Sequence, residues 1–475
     1  MLGIRYSPPR VALGFCAVVL ALAGCASAAR ADWSAPRVLA SAPPLHLGGG
    51  DVSALAAHVA VDSRGDVAVA WSRTGARPAE YLGRRCSWKR RAPKRLGCYP
   101  LTTVHLTVVM ASGQTLTRVV ASARGEGLDG VVLNPTQATV LLGYAKPGID
   151  SEGGVRVAYG PLIGRWAAPQ TISGPWSIGW TDGRALAQPH LALSPDGTVL
   201  VAWNGCLTPH ACLGVIDEGY AQQRVVVAWH RPGRPFGSPR VVRGAPLGSV
   251  PQFDAGGAAY LSGSCSGAVA IAPAHSGRFS LRPVTSGSAK SFTLALSGAG
   301  QGLAAWVAGA CSYDETTPPR SGSVLFSLMR GGAFAKPQPL APAAGEVIRS
   351  SAVALPLDGL VSWEVRAADG AEEPFSAEIG ANGVPGATQQ GATAVIPIAA
   401  DAYGDVALVG GRAANSYGPA AAPMAPPFVR PAGGGPDQPA PSALFSSLTA
   451  APAGRAFAVT WLSSLSTLQL SVWRP

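Results

Sequence analysis

Short apolar runs separated by turn-forming residues recur along the chain. The clearest unit covers residues 189–243: an apolar run, the turn Ser194-Pro195-Asp196-Gly197, and a second apolar run that ends at Trp203. Two further short apolar runs follow, at residues 224–229 and 236–242. Runs of this length between turn residues are typical of β-strands. The unit is therefore interpreted as four strands, A to D.

The A–B hairpin of this unit recurs eight times, with enough chain between copies for four strands and their loops. Glycine stands in or near most of the turns, where a tight hairpin needs positive φ. The copies cover residues 57–71, 129–144, 189–203, 251–263, 291–306, 350–363, 394–410 and 446–461. Strand B ends in an aromatic residue in six copies, namely Trp71, Tyr144, Trp203, Trp306, Trp363 and Trp461. These aromatic side chains are predicted to pack between neighbouring sheets.

Strand D carries a second signature, an aromatic residue followed three positions later by proline. The four copies are Trp33/Pro36, Trp166/Pro169, Phe236/Pro239 and Phe334/Pro337, and Phe279/Pro283 is a looser one. Proline cannot donate to a strand ladder, so it belongs on an edge strand. Strand D is therefore predicted to be the outermost strand of each sheet.

The two ends of the chain complement each other. A D-type strand at residues 33–39 has no A, B or C strand before it, and the chain ends with A, B and a C strand at 467–473. When the two ends of the chain contribute strands to one sheet, the ring of sheets closes and no sheet edge is left exposed at the joint. We therefore expect an all-β fold, a single β-propeller of four-stranded antiparallel blades over residues 32–475, closed by the N-terminal outer strand. Eight blades are predicted; seven is the alternative, because residues 418–441 show no clear C and D strands.

The repeat resembles bacterial exported β-propellers with WD40-like repeats of the TolB type, whose blades carry a Ser-Pro-Asp-Gly turn. Only residues 194–197 keep all four positions, while residues 62–66 and 358–359 keep part of the turn. Sialidase-type propellers are similar in outline, but no copy here fits their Ser-x-Asp-x-Gly-x-x-Trp box. The resemblance implies an architecture and does not imply a reaction.

The first 24 residues are predicted to be a signal peptide. Arg5 and Arg10 precede an apolar run at residues 11–24 that is too short to cross a bilayer. Leu22-Ala23-Gly24-Cys25 matches a bacterial lipobox, which would lipidate Cys25, whereas small residues up to Ala31 also allow ordinary cleavage as late as residue 31. Both readings stay open. The expected location is extracytoplasmic, either secreted or lipid-anchored at the cell surface.

Cysteine usage agrees with export. Six cysteines follow Cys25, and an even number in an exported chain indicates three disulfides. The predicted pairs are Cys86–Cys98, Cys206–Cys212 and Cys265–Cys311. The alternative is six reduced, buried cysteines.

The net charge of +11 is concentrated in one basic segment, residues 77–100. Aromatic residues alternate with its cations, which suits anionic polymers. The candidate binding residues are Tyr81, Arg84, Arg85, Trp88, Lys89, Arg90 and Arg91, together with Trp176 and Trp180 of a D–A connection. Expected partners are a cell-envelope glycan or protein, or an anionic polymer; export disfavours nucleic acid. The alternative is a solvated basic loop without a specific partner.

Sequence motifs of catalysis are absent. There is no HExxH, GxSxG or P-loop motif, and no His/Cys spacing of a zinc site. His58 and His190 occupy equivalent places in strand A and are expected to pack or to line the channel. Acids that could act in catalysis lie in predicted loops: Asp150, Glu152, Asp217, Glu218, Asp314, Glu315, Glu372 and Glu373. We expect no catalytic residue, cofactor or metal.

Three functional classes follow from these observations. The first is a non-catalytic propeller that binds a ligand or acts as a scaffold at the cell envelope. The second is a glycan-processing hydrolase or lyase with loop carboxylates at the channel mouth, and the third is a purely structural envelope protein.

Overall fold

A computed structural model describes most of the chain from Asp32 to Arg474. The described residues are 32–47, 50–75, 100–145, 152–181, 184–185, 189–207, 223–263, 266–287, 289–298, 300–309, 323–340, 346–355, 358–367, 370–391, 394–401, 403–410, 427–432, 436–441, 447–450, 455–463 and 466–474. Within these ranges the fold is all-β, without an α-helix. No helix able to cross a membrane is therefore found in the described part.

Eight four-stranded antiparallel blades form a ring, as the sequence predicted. The chain opens with β1 (Asp32–Trp33), β2 (Arg37–Ser41) and a separate hairpin of β3 (Leu45–Leu47) and β4 (Gly50–Val52). Blade 1 comprises β5 (Leu55–Val61), β6 (Val67–Thr74), β7 (Leu101–Val109) and β8 (Thr115–Arg124). Blade 2 comprises β9 (Glu126–Leu133), β10 (Gln137–Ala145), β11 (Glu152–Pro161) and β12 (Gln170–Thr171), followed by β13 (Ile178–Thr181) and β14 (Arg184–Ala185).

The next four blades follow the same order. Blade 3 comprises β15 (His190–Leu193), β16 (Val199–Gly205), β17 (Arg224–His230) and β18 (Arg240–Val241). Blade 4 comprises β19 (Val250–Phe253), β20 (Ala259–Ser262), β21 (Ala268–Ala272) and β22 (Ser280–Pro283). Blade 5 comprises β23 (Ala289–Gly298), β24 (Gln301–Ala308), β25 (Val324–Arg330) and a split outer strand, β26 (Ala333–Phe334) with β27 (Gln338–Pro339). Blade 6 comprises β28 (Glu346–Ala354), β29 (Gly359–Arg366), β30 (Glu372–Ile379) and β31 (Gln389–Gln390).

The last two blades complete the ring. Blade 7 comprises β32 (Val395–Ala400), β33 (Val406–Gly410), β34 (Phe428–Arg430) and β35 (Gln438–Pro439). Its C and D strands, which the sequence did not reveal, are only three and two residues long. Blade 8 comprises β36 (Ser447–Ala450), β37 (Phe457–Ser463) and β38 (Thr467–Arg474), with β1 and β2 as its outer strand. The count of eight is therefore confirmed over the alternative of seven.

Ring closure depends on the pairing of β1 and β2 with β38. Trp33 lies opposite Trp473, and Arg37 lies opposite Leu470, in antiparallel register. The Trp33 indole N–H donates to the Gln438 carbonyl of blade 7 at 3.0 Å, and its ring packs against the core between blades 7 and 8. The predicted closure is confirmed, and Trp33 also ties the joint to the preceding blade.

Proline marks the outer strands, as predicted. Pro36 directly precedes β2, and Pro169, Pro239 and Pro337 directly precede β12, β18 and β27. Each of these strands pairs with strand C of its blade and with no further strand among the described residues. Because proline has no N–H to donate, ladder pairing resumes only at the residue after it.

Apolar clusters fill the spaces between neighbouring blades around the ring. Trp203 packs with Leu141 of blade 2, Trp306 with Tyr260 of blade 4, and Trp71 with apolar residues of blade 8. The tryptophans at 203, 306 and 363 are among the largest fully buried side chains. The prediction that strand-B aromatics pack between sheets is confirmed for these positions. Burial of these large aromatic rings, together with the aliphatic residues around them, therefore stabilises the contacts between blades.

Gly300 in the A–B turn of blade 5 offers a test of turn packing. Its φ is +62°, and a Cβ there would lie 2.8 Å from the backbone nitrogen of Gly332. Gly113 has φ +90° but open space around it. We expect Gly113→Ala to cost about 1 kcal/mol from backbone strain alone, and Gly300→Ala about 2–3 kcal/mol. Urea unfolding of the two variants checks this; equal losses would show that the close approach to Gly332 does not matter.

Candidate functional site

The two faces of the ring carry connections of different length. In each blade the A–B and C–D connections lie on one face, and the B–C and D–A connections lie on the other. The A–B connections are uniformly short, the longest being residues 451–456. The B–C connections reach residues 75–100 in blade 1 and 206–223 in blade 3, and the D–A connection of blade 2 covers 172–189. Chain that is not needed to form the ring is thus concentrated on one face, called here the long-loop face.

Carboxylates on the opposite face stabilise its turns. The Asp62 carboxylate accepts a hydrogen bond from the backbone N–H of Asp66 at 2.9 Å. The Asp66 carboxylate in turn accepts one from the backbone N–H of Ala111, in the C–D connection, at 2.7 Å. The same Asp-x-x-Gly-Asp arrangement recurs in blade 7, where Asp405 accepts the Ala432 N–H at 2.8 Å. These acids fix the A–B turn to the C–D turn, as caps do in Asx-type turns. They therefore have structural roles.

Most residues predicted as a binding site lie outside the described part of the chain. This applies to Tyr81, Arg84, Arg85, Trp88, Lys89, Arg90 and Arg91, to the lipidation candidate Cys25, and to Cys86, Cys98, Cys212, Cys265 and Cys311. Cys206 is described and buried at the end of the B strand of blade 3. The binding role of the basic segment and the three cysteine pairs stay predictions.

Trp176 and Trp180 lie in the D–A connection of blade 2, between β12 and β15, and part of this connection forms strands. Trp180 belongs to strand β13, which pairs with the start of β11. Trp176 is half-buried and packs against the apolar cluster between blades 2 and 3. Its neighbour Ser177 bridges to Cys206 through two backbone hydrogen bonds of 2.9 and 3.0 Å. The connection is therefore an ordered extension of blade 2, and Trp176 contributes to packing.

The inner strands line the axis of the ring, because strand A of one blade lies next to strand A of the following blade at seven of the eight joints. His58 pairs with Ala70, and His190 pairs with Ala202, the residue before the strand-B tryptophan in each blade. Thr293 and Ser351 hold the same register position in blades 5 and 6. These residues form one level of the channel, called here the histidine level. Their equivalent register positions are compatible with both alternatives of the sequence analysis, packing and channel lining.

Asp129 occupies a β-bulge in the inner strand of blade 2, whereas Gly127, opposite Gly143, holds the register position of the histidine level in that blade. The register of β9 against β10 shifts between Leu141 and Leu142, which leaves Asp129 without a Cα partner. One carboxylate oxygen is fully buried without a hydrogen-bond partner, while the Gly143 backbone N–H donates to the carboxylate. Burial raises the pKa of Asp129 to about 7, against an ordinary value of 3.8, and the Gly143 hydrogen bond opposes that rise. Sequence reasoning missed this residue because a bulge re-aims a side chain without any motif.

The two histidines are kept neutral by their surroundings. Burial lowers the pKa of His58, opposed by the hydrogen bond that its ring donates to the Leu128 carbonyl, and His190 nearby lowers it further. Burial also lowers the pKa of His190. Since Leu128 is the residue before Asp129, the His58 ring is held beside the bulge. Near neutral pH the histidine level therefore offers uncharged imidazoles.

The other carboxylates of the described inner strands lie beside arginines. Glu126 lies 3.2 Å from Arg156, and although burial raises the pKa of Glu126, Arg156 opposes that rise. Glu346 lies opposite Arg366, to which Glu372 is paired at 2.9 Å. Of the loop acids named as catalytic candidates, Glu372 and Glu373 lie in strand β30, and the side chains of the other six lie outside the described part. The described inner strands therefore present one carboxylate without a cationic partner, Asp129.

A metal centre is not formed by the described residues. No group of three or more His, Cys, Asp or Glu side chains in the described ranges is close enough together to hold a metal ion.

Comparison with known proteins gives likeness of fold alone. No protein-family model matches the chain, and no curated protein is similar to it. Among solved structures, the α-L-arabinanase of Penicillium chrysogenum is 11% identical with a TM-score of 0.40, over 93% of this chain and 98% of that one. A PL25 ulvan lyase is 11% identical with a TM-score of 0.42, over 72% and 90%, and a chain of the mitotic checkpoint complex is 12% identical with a TM-score of 0.39, over 92% and 93%. Their different activities and low identities give no basis for assigning a function to this chain.

Proposed function

We propose that this protein is a non-catalytic extracytoplasmic β-propeller that binds an anionic glycan of the cell envelope on its long-loop face. The observation that carries the proposal is the unequal length of the connections. Short A–B turns satisfy their own polar groups on one face, whereas the other face carries long connections that the ring does not require. Ordering long loops costs conformational entropy, so loops of this length on a rigid scaffold indicate a binding role.

The charge of the longest connection supports an anionic partner. It includes Arg84, Arg85, Lys89, Arg90 and Arg91 within residues 75–100. Phosphate, sulfate or carboxylate groups of a wall polymer would gain charge-assisted hydrogen bonds from such a segment. The aromatic residues among these cations, Tyr81 and Trp88, offer flat surfaces for sugar rings. A protein partner with an acidic surface would form the same charge-assisted hydrogen bonds with these cations. Nucleic acid is disfavoured as a partner because the chain is expected to be exported.

The leader supports an extracytoplasmic location. Cleavage near residue 24 would leave Cys25 as a lipid anchor, and cleavage as late as residue 31 would release a soluble protein just before β1. The cysteine pairs Cys86–Cys98, Cys206–Cys212 and Cys265–Cys311 belong to the same proposal, because each would restrain connections on the long-loop face.

Binding is favoured over hydrolysis by the carboxylates of the inner strands. A glycosidase needs two carboxylates about 5–10 Å apart on either side of the scissile bond. In the described inner strands the other two carboxylates, Glu126 and Glu346, lie beside arginines, so Asp129 has no second free carboxylate to act with. A lyase is the second candidate, because Asp129 with a pKa of about 7 has the proton affinity of a general base. The third alternative, a purely structural protein, would assign no ligand to the long-loop face.

Charge reversal on each face tests where the ligand binds. Replacing Arg84, Arg85, Arg90 and Arg91 with Glu is expected to weaken co-sedimentation with isolated cell envelope at least about tenfold, and added salt should weaken wild-type binding as well. The matched control reverses four exposed cations in C–D connections of the opposite face, Arg165, Arg234, Arg278 and Lys336. The control should bind like wild type. Equal binding by wild type and both variants would reject the long-loop face as the site.

A further inference from the structure

The outer strand of blade 1 differs in length from the outer strands of the other blades. β8 (Thr115–Arg124) has ten residues, whereas the outer strands of blades 2 to 7 have two to four residues each and β2 of blade 8 has five. At about 3.3 Å for each residue, β8 extends over roughly 33 Å. It pairs with β7 on one side, and no strand of the described part of the chain pairs with it on the other. Blade 1 therefore ends in a long strand edge at the perimeter of the ring.

The hydrogen-bonding pattern shows which backbone groups of β8 point away from β7. The Met110 N–H donates to the Gln114 carbonyl at 2.8 Å and closes the C–D hairpin. Hydrogen-bonded and non-hydrogen-bonded pairs alternate in an antiparallel ladder, so Thr115, Thr117 and Val119 occupy non-hydrogen-bonded positions against β7. Their N–H and C=O groups therefore point outwards. The side chains of the same three residues are exposed, that of Val119 by 58%.

The regular part of this edge ends at a β-bulge. The register of β7 against β8 shifts between Val104 and His105, which leaves Val120 without a Cα partner. Residues 115–119 precede the bulge and keep an unbroken ladder with β7. This five-residue segment is called here the blade 1 edge.

The blade 1 edge lacks the features that protect most other outer strands. Proline directly precedes β2, β12, β18 and β27, and it lies within β22 and β35 as Pro283 and Pro439. No proline occurs between residues 101 and 133. Proline and short length both hinder the pairing of an edge strand with another chain. A regular edge without either protection has the form of a site for an added strand.

Two arginines lie beside the blade 1 edge, and both bond within the chain. Arg118 donates to the Gly164 carbonyl at 2.8 Å, and its guanidinium group lies over the Trp166 ring at 5.6 Å from the centroid. Arg37 of β2 donates to the Thr115 hydroxyl. The edge therefore offers outward backbone groups and uncharged side chains to a partner, which does not favour an acidic peptide.

The sequence of the blade 1 edge is complementary to itself in an antiparallel register. When Thr117 lies opposite Thr117 of a second copy, Thr115 faces Val119 and Leu116 faces Arg118. No two like charges then stand opposite each other, and the outward-pointing residues form three hydrogen-bonded pairs. Threonine and valine are favoured at such cross-strand positions. A second copy of this chain is therefore the partner that the edge fits.

We infer that two copies of this chain associate by antiparallel pairing of residues 115–119, centred on Thr117. The pairing joins blade 1 of each copy into one eight-stranded sheet through a contact with two-fold symmetry. A contact between two short strand segments is small, so the dimer forms reversibly and depends on protein concentration. Because the paired strands run antiparallel, the two long-loop faces point in opposite directions. The dimer does not depend on the proposed glycan binding.

Sedimentation equilibrium of residues 32–475 over a range of protein concentrations tests this inference. The mass of the wild type is expected to rise towards twice that of the monomer without any glycan. Thr117→Lys places two like charges opposite each other on the two-fold axis and should weaken the association at least about tenfold. The matched control is Ser280→Lys, on the exposed outer strand of blade 4, and it should associate like wild type. Urea unfolding of both variants checks that each is folded.

Disulfide trapping tests the register and does not depend on the lysine variant. Opposed Cα atoms of a hydrogen-bonded pair lie about 5.5 Å apart, within reach of a disulfide, so Thr117→Cys should yield a dimer linked through residue 117 by peptide mapping. Ser280→Cys should yield none linked through residue 280.

Three outcomes would overturn the inference. Wild type that stays monomeric at every concentration would reject a second copy as the occupant of the edge and leave it to a different chain. Association unchanged by Thr117→Lys would reject the blade 1 edge as the contact, and failure to trap a dimer through residue 117 would reject the register. Each of these outcomes leaves the envelope-binding test of the long-loop face unaffected.

Discussion

A mature chain that begins at Ala42 is expected to lose its closed ring, whereas one that begins at Asp32 keeps it. The ten residues removed supply both outer strands of blade 8, including the pairings of Trp33 with Trp473 and of Arg37 with Leu470. They also supply the Trp33 ring packed between blades 7 and 8. Loss of a packed aromatic ring and several backbone hydrogen bonds should cost on the order of 5 kcal/mol of unfolding free energy.

The measurement compares the two chains by urea unfolding and light scattering. The shorter chain leaves the outer edge of β38 unpaired, so we expect it to self-associate as well as to unfold at lower urea. A synthetic peptide of residues 32–41 should restore part of the lost stability, because the missing strand binds from outside the ring. Equal unfolding midpoints and a monomeric shorter chain would contradict closure by β1 and β2.

Replacement of Asp129 with Asn is expected to stabilise the protein at high pH and to have little effect at low pH. The pKa of Asp129 is about 7 in the folded protein and near 3.8 when unfolded. Because the folded state holds the proton more tightly, wild-type stability is greatest below pH 4 with respect to this group and falls as pH rises towards 7. At about 1.4 kcal/mol for each pKa unit, the ionised carboxylate costs up to about 4 kcal/mol.

Unfolding free energies of wild type, Asp129→Asn and Asp358→Asn between pH 4 and pH 8 check this. The difference between wild type and Asp129→Asn should grow across the interval, while the exposed Asp358 of an A–B turn should behave like wild type. A difference that stays constant with pH would show that Asp129 is ionised in the folded protein without cost.

The architecture could be predicted because it is encoded by local patterns that repeat. Each A–B hairpin combines apolar strands with a turn, and six of the eight copies end in an aromatic residue, so the repeat can be recognised even where one copy is weak. The complementary ends predicted the joint between β2 and β38 correctly. Blade 7 was the weak point, because strands as short as Phe428–Arg430 and Gln438–Pro439 leave no detectable alternation. Their pairing is imposed by the neighbouring blades.

The site was harder to predict because it depends on register between distant segments. His58 and His190 could be aligned from the repeat, but Asp129 lies in the bulge opposite Leu141 and Leu142, which no repeat position predicts. Trp180 looked like a loop residue because strand β13 is an insertion with no counterpart in the repeat. Neither feature has a sequence signature that stands out from neighbouring turns.

Binding without turnover is the most direct test of the proposed function. The purified protein, residues 32–475, is incubated with a panel of neutral and anionic envelope polysaccharides, and retention and chain length of each polymer are measured in the same samples. We predict salt-sensitive retention of at least one anionic polysaccharide whose chain length stays unchanged and in which no unsaturated sugar ends form. Shortened chains, new unsaturated ends, or the absence of binding to every polymer of the panel would contradict a non-catalytic glycan-binding propeller.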